Sequence, residues 1–323
     1  MSTRADAIAN DPIAQEVARE FLGQGGSAVG AVLCGYFAAV GGFAGVLLGP
    51  VSVIVAGVGA GVRVFDGRLR QPGIGRKRPR GVRAQEPVPD AARVGIPVGV
   101  AAALVAHAYD GSQKLGSVLK PGIRQAKRSG ADSRAALLGR IRAVGAAALT
   151  EGEFVRALLR VAGPSQGGML TPADFSAVPD IDQDAVTRKL GEAEVREPAW
   201  AVDEREPAAG SDLGIGYAVC AVDVRGVFAA ICYRRVTDGF LIEELELEAP
   251  LGAVPVQRGV PRVSPGERLP CPAPIAVVCD ATGAPVEVIA APAARRIEPT
   301  HLEAPPLRLR RAVDERVVHA ARN

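Results

Sequence analysis

Histidines are the residues from which metal and acid–base sites are most often built, and this sequence offers few of them. Its 323 residues contain three histidines, which lie far apart at His107, His301 and His319. A zinc site needs ligands at short helical or finger spacing, and these histidines lack it. The sequence also contains no G-x-S-x-G, H-E-x-x-H, C-x-x-C or Walker loop. We therefore expect no metal site and no bound cofactor.

Cysteines are the remaining candidates for covalent chemistry. Their number is odd, and most lie in apolar runs, where a free cysteine behaves as a small hydrophobic residue. The N-terminal segment MSTRADAIANDPIAQEVARE is mixed in charge, unlike a secretory signal. These features favour the reducing cytoplasm. The five cysteines are Cys34, Cys220, Cys232, Cys271 and Cys279.

Composition argues against nucleic acid as a partner. The net charge is +3 and aromatic residues make up 4%, so the chain has neither a strong positive field nor many stacking side chains. The basic loop at residues 68–83 can be a solvated linker or a nucleic-acid patch, and we favour the linker because it stands alone. Gly57, Gly59 and Gly61 alternate as in a dinucleotide fingerprint, but no helix follows them.

A long segment between Glu20 and Arg63 carries no charged residue. Its length allows two membrane helices, which would form a hairpin over residues 21–62. Pro50, the many glycines and the missing aromatic belts argue against that interpretation. A helix buried on all sides and followed by a central strand has the same composition.

The order of predicted elements favours an α+β fold. Periodicity predicts helices at 11–22, 27–40, 100–109 and 133–159, with a short β pair at 51–55 and 62–65. Residues 1–180 are therefore a mainly helical half, and 181–214 a polar connecting segment. Residues 215–298 form a mainly β half, with strands predicted at 217–224, 227–234, 240–247, 275–280 and 286–291. Residues 299–323 are a basic tail, predicted to form a terminal helix.

Seven strings, in order along the chain, resemble motifs of the gamma-glutamyltransferase (gamma-glutamyltranspeptidase) family. For example, GGMLTPADF resembles the family's G-G-x-L-T-x-x-D-L, and VFDGRLRQP resembles D-x-R-E-x-A-P. No single string is specific, but their order is hard to produce by chance. They are NDPIAQEVAREFLGQGGSAVGA (10–31), VFDGRLRQP (64–72), VGIPVGVAAALVAHA (94–108), LKPGIRQAKRSG (119–130), GGMLTPADF (167–175), SPGERLPCPAPIAVV (264–278) and IAAPAARRI (289–297).

The resemblance implies an N-terminal-nucleophile hydrolase fold, an αββα sandwich. Residues 1–180 would correspond to the family's large subunit and 215–298 to its small subunit. In that family a precursor cuts itself before a threonine, whose hydroxyl then attacks a gamma-glutamyl amide with its own amine as base. The resemblance also favours the buried helix and central strand over the membrane hairpin.

Aligned with the family's T-T-H-x-S-V-V-D-x-x-G, the sequence places Gly216 at the nucleophile position, where it offers no side-chain oxygen. Cys220 falls on the serine of that motif and is the weak candidate for a displaced nucleophile. The family's two oxyanion serines fall on Pro270 and Cys271. Its glycine pair, which supplies oxyanion amides, falls on Ala293 and Ala294, so these are expected ligand-binding residues.

Arg68 matches the family's arginine that grips the substrate α-carboxylate. A guanidinium there can bind a carboxylate through two parallel hydrogen bonds, although a solvated surface arginine is an equal alternative.

Two classes of function follow. In the first, the chain is a shortened, degenerate relative that serves as a non-catalytic binding or structural subunit. Its partner is then another protein, either a second copy or a different subunit, with an α-amino-acid or gamma-glutamyl compound as a possible ligand. In the second, it is an active amidohydrolase or transferase with a displaced nucleophile. A membrane protein is the distant third alternative.

Overall fold

The computed structural model describes residues 5–59, 61–77, 81–83, 86–177, 179–190, 193–202, 207, 210–259, 261–303, 306–311 and 318–322. Parts of the predicted basic loop and basic tail lie outside these residues. The helices are α1 (Pro12–Gly23), α2 (Ala28–Gly42), α3 (Gly99–Asp110), α4 (Leu115–Arg128), α5 (Asp132–Val144), α6 (Ala147–Thr150), α7 (Gly152–Ala162), α8 (Pro172–Ser176) and α9 (Pro299–Glu303). The strands are β1 (Asp6–Ala9), β2 (Val51–Ala56), β3 (Val62–Gly67), β4 (Asp182–Asp184), β5 (Val186–Leu190), β6 (Ala193–Glu197), β7 (Ile215–Val222), β8 (Phe228–Arg235), β9 (Phe240–Ile242), β10 (Leu247–Ala249), β11 (Ile275–Cys279), β12 (Pro285–Ala290), β13 (Leu307–Arg311) and β14 (Val318–Arg322).

Two six-stranded antiparallel sheets form the centre of the molecule. The first has the strand order β1-β7-β8-β2-β3-β4 and the second β14-β13-β12-β11-β6-β5, while β9 and β10 form a separate hairpin. Residues 181–214 do more than connect the two halves, because they contribute β4 to the first sheet and β5 and β6 to the second. Strands from both halves of the sequence therefore meet in the first sheet.

The uncharged segment is a buried helix followed by a central strand. Ser27 caps α2 by accepting from the backbone N–H of Gly30 at 3.0 Å. Helix α2 is buried from Ala28 to Gly41, and β2 lies between β8 and β3 in the first sheet. No described helix has both the length and the apolar character needed to span a membrane.

Glycines in this segment allow two helices to touch through their backbones. A β-carbon on Gly41 would lie 2.0 Å from the carbonyl oxygen of Gly122 in α4, and one on Gly122 would lie 2.4 Å from that of Phe37. Such contacts leave no room for a side chain, so the glycines are needed for the α2–α4 crossing.

The inner faces of the two sheets pack against each other through small and β-branched side chains. Ala218, Cys220 and Ala230 of the first sheet belong to the same buried cluster as Val277 and Val288 of the second. The helices cover the outer face of the first sheet, in a cluster that includes Leu33, Val53 and Ile231. This arrangement gives an αββ core, with the sheets stacked face to face.

The outer face of the second sheet has a thin cover. Among the described residues its helical layer is reduced to the five-residue α9, with Ile297 and Leu302 packed nearby. Charged pairs occupy much of the rest. Glu197, fully buried, accepts from Arg188 at 2.5 Å (Oε1 to Nε), and the buried Glu287 pairs with Arg308.

The structure corrects three predictions of local structure. After α9, the described part of the basic tail is not helical, because β13 and β14 extend the second sheet. The predicted helix 133–159 is divided into α5, α6 and α7, with Gly145 and Gly152 at positive φ values of 63° and 74°. The predicted strand 240–247 is a hairpin that turns at Glu246, whose φ is 53°.

Candidate functional site

Gly216 is the second residue of strand β7, and it is buried at one end of the sandwich. Its neighbour Asn10, directly after β1, extends the β1–β7 pairing with its side chain. The Nδ2 group donates to the carbonyl of Gly216 at 3.3 Å, and Oδ1 accepts from the backbone N–H of Ala218 at 2.9 Å. These two hydrogen bonds hold the first residues of the strand in register.

Gly216 packs directly against the loop that follows β12. A β-carbon at position 216 would lie 1.9 Å from the carbonyl oxygen of Pro292 and 2.9 Å from its carbonyl carbon. Carbon and oxygen atoms in contact need more than 3 Å, so no residue with a side chain fits here unless the loop moves. The place where a nucleophilic side chain would project is filled by the backbone of this loop.

The same loop carries the two alanines at the expected oxyanion position. Ala293 is exposed and Ala294 is half-buried. The backbone N–H of Ala294 donates to the carbonyl of Ala291 at 2.7 Å, so this donor is already used in a turn. The structure thus brings the loop to Gly216, but the Ala294 amide is not free for an oxyanion.

Arg68 is buried, and its guanidinium is held by a carboxylate of the chain itself. Its Nε donates to Asp66 Oδ1 at 3.0 Å and its Nη2 to Asp66 Oδ2 at 2.9 Å. The guanidinium carbon lies 4.6 Å from the ring centre of Trp200, in cation–π geometry. Arg68 is therefore not a solvated surface arginine.

Sequence reasoning missed Asp66 and Trp200. The Asp-x-Arg spacing at the end of β3 was a usable signal, because residues two apart on a strand lie on the same face. Trp200 comes from the connecting segment, and no local pattern ties it to Arg68.

Arg234 lies beside Gly216, and Cys271 lies within reach of Arg234. Arg234 is the direct partner of Gly216 across β7 and β8; its Nη1 donates to the carbonyl of Gly214 at 3.1 Å, while its Nε is buried without a hydrogen-bond partner. Burial raises the pKa of the Cys271 thiol to about 11, although Arg234 and Arg68 partly lower it. The thiol is therefore protonated at neutral pH.

Cys220 is a core residue. It is fully buried on the inner face of β7, opposite Ile8 of β1 and Ala230 of β8. Burial raises the pKa of its thiol far above the ordinary value. All five cysteines are free thiols. Among the described residues, no group of three histidine, cysteine, aspartate or glutamate side chains could hold a metal ion.

Taken together, this end of the sandwich is cationic and closed. Arg234 is the strand partner of Gly216, Arg234 and Arg68 both act on the Cys271 thiol, and Asp66 is the acidic partner of Arg68. Such a set of groups can bind an anion through charge-assisted hydrogen bonds.

No protein-family model and no curated protein matches the sequence. Solved structures do match in fold. Cephalosporin acylase from Bacillus halodurans superposes with a TM-score of 0.68 at 12% identity, covering 89% of this chain and 77% of that one. A structure of LmbA2991HD gives a TM-score of 0.64 at 16% identity, covering 89% of this chain and 78% of that one. Gamma-glutamyltranspeptidase of Helicobacter pylori gives 0.49 at 16% identity, covering 62% of this chain and 75% of that one.

At these identities the likeness concerns the fold. The chain has the N-terminal-nucleophile hydrolase fold, and the predicted α+β class is confirmed.

Proposed function

We propose that this chain, which has the N-terminal-nucleophile hydrolase fold, is a gamma-glutamyltransferase-like protein without catalytic activity that serves as a binding or structural subunit. The observation that carries the proposal is the contact between Gly216 and Pro292. A β-carbon at position 216 would lie 1.9 Å from a carbonyl oxygen. The position where the resemblance expects a nucleophile thus lacks both a reactive atom and the room for one.

The chemistry of this fold explains why that loss matters. Self-cleavage requires a hydroxyl or thiol on the residue that becomes the new N-terminus, because that atom attacks the preceding peptide bond. The freed α-amine then serves as the base for the same side chain. A glycine supplies no attacking atom, and without cleavage no α-amine is formed. Groups that act as a unit lose nearly all activity when one is removed.

An active enzyme with a displaced nucleophile is the alternative. Cys220 is fully buried in the sheet–sheet core, and the pKa of Cys271 is raised to about 11. Ser211 lies outside β7, five positions before Gly216. Each would need a rearrangement of the chain to reach a substrate amide, and this favours the non-catalytic proposal.

As a ligand we propose an α-amino acid or a gamma-glutamyl compound, whose carboxylate the cationic end of the sandwich can bind. The Arg68 guanidinium has more N–H groups than the two that donate to Asp66, so the others can donate to a ligand carboxylate. As a partner we propose another protein subunit, and as the compartment the cytoplasm, for which five free thiols are suited.

Intact-mass spectrometry of the purified protein tests the proposal. We expect a single species at the mass of the uncut 323-residue chain, and no hydrolysis of a gamma-glutamyl anilide above the buffer rate. Two fragments that join between Gly210 and Cys220 would overturn it and identify the true nucleophile. The variants Ser211→Ala and Cys220→Ala serve as matched controls, since only the true nucleophile's variant would abolish such cleavage.

A further inference from the structure

A separate cavity of about 230 Å³ lies between the start of α3, α6, α8 and the residues that follow β3. Its lining does not include Arg68, Trp200, Gly216 or Pro292. The cavity is therefore distinct from the candidate site. A ligand in this cavity would be compatible with either a catalytic or a non-catalytic protein.

The walls of this cavity are mainly apolar. Ile96, Val98 and Phe175 line it and are 6%, 4% and 5% exposed, and all three belong to the main hydrophobic core. An apolar cavity of about 150 Å³ in another protein stays dry and takes up benzene. A cavity with such walls and a larger volume can take an apolar group of at least that size.

Arg70 supplies the one basic group among the described residues of the lining. Its Nη2 donates to the carbonyl of Asp180 at 3.0 Å, whereas its Nε is buried and has no hydrogen-bond partner. Burial is the largest cause that lowers the pKa of Arg70, followed by the positive charge of Arg268. Arg70 lines the cavity, and the other N–H groups of its guanidinium can donate to an acceptor on a ligand.

Neighbouring carboxylates do not neutralise Arg70. Asp66 pairs with Arg68 and also lies 2.9 Å from Arg268 (Oδ2 to Nε), and Asp180 pairs with Arg268 at 2.8 Å (Oδ2 to Nη2). Among the described residues Arg70 forms no ion pair of its own. Arg68 and Arg268 thus take the carboxylates of Asp66 and Asp180, and Arg70 is left with a carbonyl as its hydrogen-bond partner.

The acidic residue of the lining is not available to a ligand. Asp174 accepts from the backbone N–H groups of Gly73, Ile74 and Thr171 and from the Thr171 hydroxyl, at 2.7–3.2 Å. With its acceptor sites filled, it cannot hold an ammonium group. Of the two charged residues in the described lining, only Arg70 therefore has free hydrogen-bonding groups, and these suit an acceptor on the ligand.

We infer that this cavity binds a small monocarboxylate with an apolar body about the size of a benzene ring. The carboxylate accepts from the Arg70 guanidinium, and the body lies among Ile96, Val98 and Phe175. The chemical class is thus an aromatic or short branched-chain acid.

Calorimetric titration with sodium benzoate at fixed ionic strength tests this inference. Acetate carries the charge without the apolar body, and benzyl alcohol carries the ring without the charge. We expect benzoate to bind at least tenfold more tightly than either. In methyl-resolved NMR spectra, benzoate should shift the methyl signals of Ile74 and Ile96, which both line the cavity.

Two variants remove different halves of the site. Arg70→Gln should weaken benzoate binding at least tenfold, and Ala101→Leu, which fills the cavity from α3, should abolish it. Arg124→Gln is the matched control, because Arg124 is an exposed arginine on α4 outside the cavity. Circular dichroism shows whether each variant folds. If one of the two does not fold, the other still tests the inference, because each removes a different part of the site.

Several outcomes would overturn the inference. Wild-type protein that does not bind benzoate would do so, as would acetate binding as tightly as benzoate. Benzoate affinity unchanged in a folded Arg70→Gln or Ala101→Leu variant would place the ligand elsewhere.

Discussion

Arg68 and Asp66, two residues apart at the end of β3, form a bidentate ion pair whose side chains are 6% and 1% exposed. Removing one partner of such a pair leaves a buried charge without compensation. A substitution of either residue should therefore destabilise the fold as well as change the charge of the candidate site.

Replacement of Asp66 by asparagine should strongly destabilise the protein. We expect a loss of about 3–5 kcal/mol in the free energy of unfolding, because the buried Arg68 loses its carboxylate and Arg268 keeps only Asp180. Urea denaturation measures this loss. Asp182→Asn is the control, since Asp182 pairs with Arg63 and is 39% exposed, and it should cost at most about 1 kcal/mol. Equal losses for the two variants would contradict the prediction.

Glutamate should raise the melting temperature if Arg68 grips an α-carboxylate in addition to Asp66. Binding to the folded state alone stabilises it by mass action, by about 2.7 kcal/mol at a hundredfold excess over Kd. Arg68→Lys should abolish the shift, because lysine keeps the charge but loses the planar fork. Differential scanning fluorimetry at millimolar glutamate decides this. An equal shift for wild type and variant would leave Arg68 with a structural role only.

Gly216→Ala should destabilise the protein by about 1–3 kcal/mol, since its β-carbon would collide with the carbonyl oxygen of Pro292. Gly139→Ala is the matched control. Gly139 lies within α5, and a β-carbon there meets nothing within 4 Å, so this variant should gain up to about 1 kcal/mol from helix propensity. Chemical denaturation of both variants measures the difference in the free energy of unfolding. An unchanged free energy for Gly216→Ala would contradict the prediction and show that the loop at Pro292 moves aside at little cost.

Two adjacent glycines at the end of α2 should respond in opposite ways to alanine. A β-carbon on Gly41 would lie 2.0 Å from the carbonyl oxygen of Gly122, whereas one on Gly42 would meet nothing within 4 Å. We expect Gly41→Ala to lower the melting temperature by several degrees and Gly42→Ala to leave it nearly unchanged. Similar melting temperatures for both would contradict the α2–α4 backbone contact.

Cys271 should alkylate slowly at neutral pH and faster as the pH rises. Burial disfavours the thiolate and raises the thiol pKa from 9.0 to about 11, so the reactive form accumulates only as the pH approaches that value. For the same reason, this thiol contributes stability below pH 9 that is lost as the pH rises through 11. Mass spectrometry after iodoacetamide pulses gives the midpoint, with Cys271→Ser as the blank. A midpoint near neutrality would instead revive Cys271 as a nucleophile.

Local signals were sufficient to predict several elements. Asp11 caps α1 by accepting from Ile13 and Ala14, and Ser27 caps α2, as their positions before apolar periodic runs indicate. Apolarity alone cannot separate a membrane hairpin from a buried helix and strand. Pro50, the glycines and the missing aromatic belts already argue against the hairpin, and the family resemblance strengthens that prediction.

Contacts between residues far apart in the sequence explain where the predictions of local structure were wrong. The alternation in residues 240–247 is typical of a strand, but Glu246 takes a left-handed conformation, and its carboxylate accepts from the backbone N–H groups of Ser133 and Arg134 at 2.9 and 3.3 Å. This glutamate therefore completes the start of α5, more than a hundred residues earlier in the chain. The packing of Pro292 onto Gly216 is equally non-local, and no spacing rule contains it.

The strand order of the first sheet also determines how much of the chain can fold during its synthesis. β2 and β3 can pair soon after synthesis, but the other edge of β2 needs β8, and β1 finds its partner only in β7. A nascent chain on the ribosome thus exposes the apolar face of α2 and an unpaired edge of β2 until residue 235 has emerged. This high contact order predicts slow folding and a need for chaperone shielding during translation.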